Sequence, residues 1–305
     1  MKCELAENRI AHIQYMTMGT FWTKLQIKHD DHPFLWWGLV LVSLFAALGA
    51  FIAFWFDAPL WIGALLGIVQ AGILMILLTQ LHTYRSLEKR QEVQQEKTQA
   101  YAQILNLVTP RAPLPPMTQW AATPELALEL IHQMMIHRPK NVVEIGSGCS
   151  SIVMGYILEK QKQQGHLLSI DHDEAYAQKT RSQLSLHSLQ ESVSVVDAPL
   201  QSQPSIGRGG KQTTWYSLEG LDIPESIDML VVDGPPEKVT PWVRYPAVPV
   251  LLEKLSQNAV IILHDTHRKD ETAIVHAWNE HLPGASVEWK HTDKGIAILT
   301  KNGKT

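Results

Sequence analysis

Hydrophobic and polar positions fall into three regimes along this chain. Residues 34–56, FLWWGLVLVSLFAALGAFIAFWF, hold no charge over twenty-three positions, and residues 60–81, LWIGALLGIVQAGILMILLTQL, hold none over twenty-two. A helix crosses a bilayer with about 20 apolar residues, so each run is long enough. Only Asp57, Ala58 and Pro59 separate them, which predicts a tight transmembrane helical hairpin over 34–81. Trp36, Trp37, Trp55 and Trp61 stand near the run ends, where indole rings favour the membrane interface. Gly63 and Gly67 have the spacing that lets helix backbones approach. In a segment so rich in glycine and alanine, the spacing reads more simply as composition than as a dimer motif. A cleaved signal peptide fits poorly, because the polar leader is 33 residues long and each run exceeds a signal core.

The second regime, 82–117, is polar. Residues 82–108 are rich in Gln, Glu and Lys, with Leu87, Val93, Tyr101, Ile104, Leu105 and Val108 as sparse apolar positions. That pattern predicts an exposed helix. Its breaks at Gln91, Gln94 and Thr98 favour a solvated helix over a coiled coil, while leaving a homodimer open. TPRAPLPPM, 109–117, has four prolines in nine residues and marks a domain boundary.

From 118 to 305 strand-like and helix-like patterns alternate. Strands are expected at 141–146, 166–171, 193–198, 227–234, 258–265, 286–291 and 295–301, and helices at 123–137, 150–163, 173–188, 241–257 and 268–281. The inner strands are continuous apolar runs, as in a parallel sheet covered on both faces. The last two are joined only through Thr292–Lys294, too short for a crossover, so they must pair antiparallel. The fold class is α/β, a Rossmann-like doubly wound sheet with a terminal antiparallel strand pair, preceded by the α-helical hairpin. Residues 201–220, Gly-, Ser- and Gln-rich around a WYSL core, read as an insertion with a small extra strand.

Charge sharpens this picture. Lys+Arg against Asp+Glu is 9 to 8 over residues 1–116, net +1, and 17 to 22 over 117–305, net −5. An acidic domain offers no electrostatic footprint for nucleic acid. Cys3 and Cys149 suggest no disulfide framework. Lys24 and Lys28 precede the first apolar run and Arg85, Lys89 and Arg90 follow the second. The positive-inside rule then puts both ends of the hairpin, and the following domain, on the cytoplasmic side of a membrane.

Ligands of wound sheets bind beyond the carboxyl ends of the strands. That singles out Glu144, Asp171, Asp197, Asp233 and Asp265. In VVEIGSGCSS (142–151), Gly146 and Gly148 permit a tight turn and close backbone approach to a ligand. A dinucleotide fingerprint would want glycine where Ser151 stands. Asp171, 23 residues after Gly148, is placed to accept both hydroxyls of a ribose. Glu144, ahead of the glycines, suits a cationic cofactor better than a pyrophosphate.

Together VVEIGSGCSS, LLSIDHD, VVDAPL and IDMLVVDGPP resemble the motifs of class I S-adenosylmethionine-dependent methyltransferases over roughly 118–301. DGPP, RYPAVPVLLEKL and VIILHDTHR are most similar to the branch related to catechol O-methyltransferases. The resemblance implies S-adenosyl-L-methionine as cofactor. It implies Glu144, Gly146, Ser147 and Gly148 around the methionine moiety, Asp171 on the ribose and His172 beside the adenine. Asp197 would bond the adenine amine and the backbone N–H of Ala198 would serve the same ring. Asp233 would sit at the methyl-transfer centre. Metal-dependent members hold a divalent cation with an Asp-Asn pair. Here the pair is Asp265-Thr266, and threonine is a poorer oxygen ligand, which counts against a cation.

The expected activity is a membrane-tethered methyl transfer to an oxygen of a small-molecule or lipid-linked acceptor. Asp233, His264 and Asp265 are the candidates for removing its proton. His264 reads equally as a satisfied polar residue at a strand end, and Arg244 and Tyr245 equally as substrate contacts or as packing. Two rivals are a non-catalytic adenosylmethionine-binding scaffold or sensor and an NAD-dependent oxidoreductase.

Overall fold

The computed structural model describes residues 33–55, 59–117, 121–161 and 165–302. The N-terminal segment with Cys3, Lys24 and Lys28, and the hairpin turn at Asp57 and Ala58, lie outside the described residues. The chain divides into two compact units, Met1–Gln91 and Glu92–Thr305.

In the first unit, helix α1 spans Pro33–Trp55 and helix α2 begins at Leu60. Among the described residues one helix, Trp61–Val108, is long and apolar enough to cross a membrane by length and composition. Leu65, Leu66, Ile68, Val69, Ile73, Ile76 and Leu77 are all exposed along it. α1 and α2 touch where side chains are missing. A Cβ on Gly49 would collide with the carbonyl of Gly63, and one on Gly67 with that of Phe45. The Gly63–Gly67 spacing therefore serves contact between two helices of the same chain.

The expected membrane run and the expected polar helix are one element, since α2 continues to Val108. No glycine or proline interrupts it between Gly72 and Pro110. Its C-terminal end is not solvated throughout. Ala100, Ile104 and Val108 are buried, and Ile104 and Val108 join Leu114 and Met117 of the proline-rich segment in a core cluster on one face of the sheet, with Tyr101 packed against it. Arg111 anchors that segment: its backbone N–H donates to Tyr156 Oη at 2.7 Å and its Nε to the His187 carbonyl at 2.7 Å. Residues 82–99 are largely exposed, and burial is confined to the last turns, where Tyr101, Ile104 and Val108, three or four residues apart, make one apolar face.

The second unit runs α3 (Pro124–His137), β1 (Asn141–Ile145), α4 (Cys149–Lys160), β2 (His166–Asp171), α5 (Glu174–Leu186), β3 (Val193–Asp197), β4 (Leu200–Gln203), β5 (Thr213–Tyr216), β6 (Ile227–Val232), α6 (Ala247–Leu251), β7 (Leu255–His264), α7 (Lys269–His281), β8 (Ser286–Lys290) and β9 (Ile296–Thr300). The seven-stranded sheet has the order β3-β2-β1-β6-β7-β9-β8. β1, β2, β3, β6 and β7 pair in parallel, and β9 is antiparallel to both β7 and β8. Helices cover both faces, giving two cores. Thr123 caps α3, its hydroxyl accepting the Leu126 N–H at 3.2 Å.

One expectation is corrected. The helix foreseen over 241–257 shrinks to α6, because Pro241, Pro246 and Pro249 remove backbone donors and Trp242 adopts a positive φ of 59°. β7 consequently starts at Leu255. The insertion at 201–220 contributes to the core as well as to the surface. β4 and β5 pair antiparallel, and Trp215 and Tyr216 are 1% exposed within the core.

Candidate active site

A cleft of about 660 Å³ opens beyond the carboxyl ends of β1, β2, β6 and β7, lined among others by Gly146, Ser147, Asp171, Tyr176, Tyr216, Asp233, Arg244 and Lys294. The β1–α4 loop forms one wall. Gly146 has φ 97°, and a Cβ there would come within 3.3 Å of the Gly234 amide. The β1 and β6 loops thus meet backbone to backbone, which glycine permits on both sides.

Asp171 lies at the centre of that wall. Its Oδ2 accepts the Ser147 N–H at 2.9 Å and the Ser147 hydroxyl at 2.6 Å, and its Oδ1 accepts the Asp173 N–H at 3.1 Å. Burial pushes its pKa up, but the His172 ring 3.5 Å from Oδ1 and the hydrogen bonds from Ser147 and Asp173 outweigh burial and hold it below the ordinary value. The His172 ring stacks edge-on against Tyr216, centroids 5.8 Å apart.

On the opposite side, the Asp233 Oδ1 lies 2.8 Å from His264 Nδ1. Burial raises the Asp233 pKa. His264, then Arg244 and Lys294, more than offset this and bring it below the ordinary value. Asp265, with φ 63°, accepts Arg244 Nη2 at 2.9 Å on its Oδ2 and faces Arg268 Nη1 at 3.0 Å. Arg244 is 3% exposed and also donates to the carbonyls of His264, Asp233 and Pro235.

The structure brings Gly146, Ser147, Asp171, His172, Asp233 and Asp265 to this cleft. It does not bring the others. Glu144 is fully buried beneath the loop, accepting hydroxyls from Ser150, from Ser151 at 2.5 Å and from Ser169 at 2.7 Å. Burial pushes its pKa up to about 7 despite those bonds. It holds the loop and the start of α4 and does not line the cleft. Gly148 lies behind Tyr176, against that side chain's hydroxyl, and does not itself line the cleft. Asp197 is exposed and paired with Arg181 at 3.2 Å. The Ala198 N–H is already donated to the Asp171 carbonyl at 2.7 Å, so it has nothing left for a ring. His264 is 1% exposed and reaches the cleft only through Asp233.

Tyr176, Tyr216, Lys238, Arg268 and Lys294 also line the cleft and escaped the sequence reading. The signal for Tyr216 was the apolar WYSL core within a polar stretch. The basic residues carried none, since they come from three separate loops.

No curated protein matches this sequence. Solved structures resemble it distantly. The O-methyltransferase from Bacillus cereus in complex with SAH is 16% identical with TM-score 0.45, over 67% of this chain and 91% of that one. The O-methyltransferase TomG from Streptomyces achromogenes, in complex with SAM, is 18% identical with TM-score 0.44, over 68% and 89%. The SAH-bound methyltransferase PaMTH1 from Podospora anserina is 14% identical with TM-score 0.45, over 72% and 96%. Residues 143–266, which contain the ends of β1, β2, β6 and β7 that build the cleft, match the family model described as Methyltransferase domain.

Proposed function

We propose that this protein is an S-adenosylmethionine-dependent O-methyltransferase tethered to a membrane by α1 and the apolar part of α2. The observation that carries the reading is one cleft in which Asp171 and the glycine loop face Asp233, inside the stretch that matches the methyltransferase model. The lining fits a nucleoside. Asp171 presents a carboxylate, and the Tyr216 hydroxyl is buried at the cleft with no hydrogen-bond partner.

Bound adenosylmethionine supplies an electrophilic methyl on a sulfonium. The glycine loop and Asp171 would hold it, Asp171 accepting the ribose hydroxyls. His264 and Arg244 orient the Asp233 carboxylate, which takes the acceptor's proton as its oxygen attacks. The C–O bond forms as the C–S bond breaks, and the electron pair returns to sulfur. Because Asp233 is held ionised at neutral pH it is a weak base, which suits a hydroxyl that is itself acidic, such as a phenol or enol. Asp265, engaged by Arg244 and Arg268, positions these groups and is not a base.

Calorimetry of the full chain in detergent micelles tests the cofactor. S-adenosylmethionine and S-adenosylhomocysteine should bind in the micromolar range and NAD should not. Absence of binding to folded protein would end the reading. For the anchor, deletion of 34–81 should move the protein from the membrane pellet to the supernatant, and a deleted chain that still pellets would refute it. The basic residues Arg85, Lys89 and Arg90 support a cytoplasmic domain.

A further inference from the structure

Asp233, His264 and Asp265 offer ligand atoms that all lie within 4.8 Å of one another, a set that could hold a metal ion. Positive charge already sits among them. Arg244 Nη2 is 2.9 Å from Asp265 Oδ2, 3.2 Å from the Asp233 carbonyl and 3.8 Å from Asp233 Oδ1. Arg268 Nη1 is 3.0 Å from the same Asp265 oxygen, and Lys294 Nζ is 4.0 Å from Asp265 Oδ1. His264 spends Nδ1 on Asp233. With Glu271 3.9 Å from Arg244 Nε, three acids face three bases. A divalent cation gains from uncompensated carboxylate oxygens and is repelled by nearby guanidinium. The donor set therefore does not fit the cation that the resemblance allows for, and Thr266 in place of asparagine is the lesser reason.

We infer that the Arg244 guanidinium stands where a divalent cation would stand, so the site neither needs nor binds one. Arg244 is then a positioning residue: it ties the loop after β6 to the end of β7 and fixes the Asp233 carboxylate. The claim that transfer is metal-free rests on the function proposed above. The claim about the cation does not, and it can be read without any activity.

The experiment is Mn²⁺ titration by electron paramagnetic resonance on chelator-stripped full-length protein in micelles, with folding followed by circular dichroism. Wild type and Thr266→Asn should bind no Mn²⁺, and EDTA should leave the thermal midpoint unchanged. Arg244→Ala with Thr266→Asn should bind Mn²⁺, and adding Asp265→Asn should abolish it. If that variant does not fold, Arg244→Gln with Thr266→Asn replaces it, since glutamine keeps length and hydrogen bonds without charge. Mn²⁺ bound by wild type and lost in Asp265→Asn overturns the inference. So does a folded, charge-removed variant that still binds none. A wrong methyltransferase reading would show instead as failure to bind adenosylmethionine.

Discussion

Two buried acid clusters sit within one sheet and are handled in opposite ways. Glu144, under the β1 loop, is surrounded by the hydroxyls of Ser150, Ser151 and Ser169. Asp233 and Asp265, at the ends of β6 and β7, are surrounded by His264, Arg244, Arg268 and Lys294. Neutral donors do not replace the water lost on burial, so Glu144 rises to about 7. Cations do, so Asp233 falls. In this pair the buried carboxylate keeps its charge where the chain supplies a compensating one. The first cluster is a structural clasp whose charge is dispensable. The second keeps an ionised group at the edge of a cleft.

The contrast can be broken from either side. Arg244→Ala strands the β6–β7 acids and should cost about 3–5 kcal/mol of stability; equilibrium denaturation checks it, and a loss below 1 kcal/mol would mean that Arg268 and Lys294 suffice. Glu144→Gln removes the other cluster's titration. A folded pKa above the unfolded one means that the native state holds the proton between roughly 4.5 and 7. Stability is therefore fully present at the acid end of that window and lost as pH rises through 7, by about 3 kcal/mol. The variant should flatten that slope relative to wild type, and parallel pH profiles would refute the clasp. Asp171 and Asp233 act in the opposite sense. Their depressed pKa values contribute stability above the ordinary carboxylate range that is lost in acid.

Asp171 is an intermediate case, compensated by hydrogen bonds. Asp171→Ala should weaken adenosylmethionine binding by roughly 30- to 100-fold through the lost ribose contacts, measured by calorimetry. An unchanged affinity would remove it from the site. Asp197→Ala marks the small end. Exposed and paired only with Arg181, it should change stability by less than about 0.5 kcal/mol and cofactor affinity by less than about twofold. A larger loss of affinity would restore its adenine role.

How much was readable in the chain follows the same line. Continuous apolar runs located the five parallel strands, because buried parallel strands cannot be polar, and the short Thr292–Lys294 connection located the antiparallel pair. Local spacing also identified Gly146 and Asp171. What spacing could not convey is where a carboxylate points. Glu144 and Asp171 both end apolar runs, yet the first turns inward to serines that lie seven and 25 residues away, and the second faces the cleft. Arg244 looked no different from a packing residue, since its partners come from the ends of two other strands. Tyr216 was hidden in a stretch whose Gly, Ser and Gln content signalled an insertion. The continuity of α2 was missed because composition changes at residue 82 while helix propensity does not.

The position of β9 has a consequence for synthesis. It is made after β8, yet it lies between β7 and β8, with Ile262 opposite Ile298. The turn before it also bonds to the site, the Thr266 N–H donating to the Gly295 carbonyl at 3.2 Å and His267 to that of Lys294 at 3.1 Å. A nascent chain stalled before residue 296 would therefore leave the ladder of β7 open to any extended peptide nearby. The cleft is finished only when this strand emerges from the ribosome.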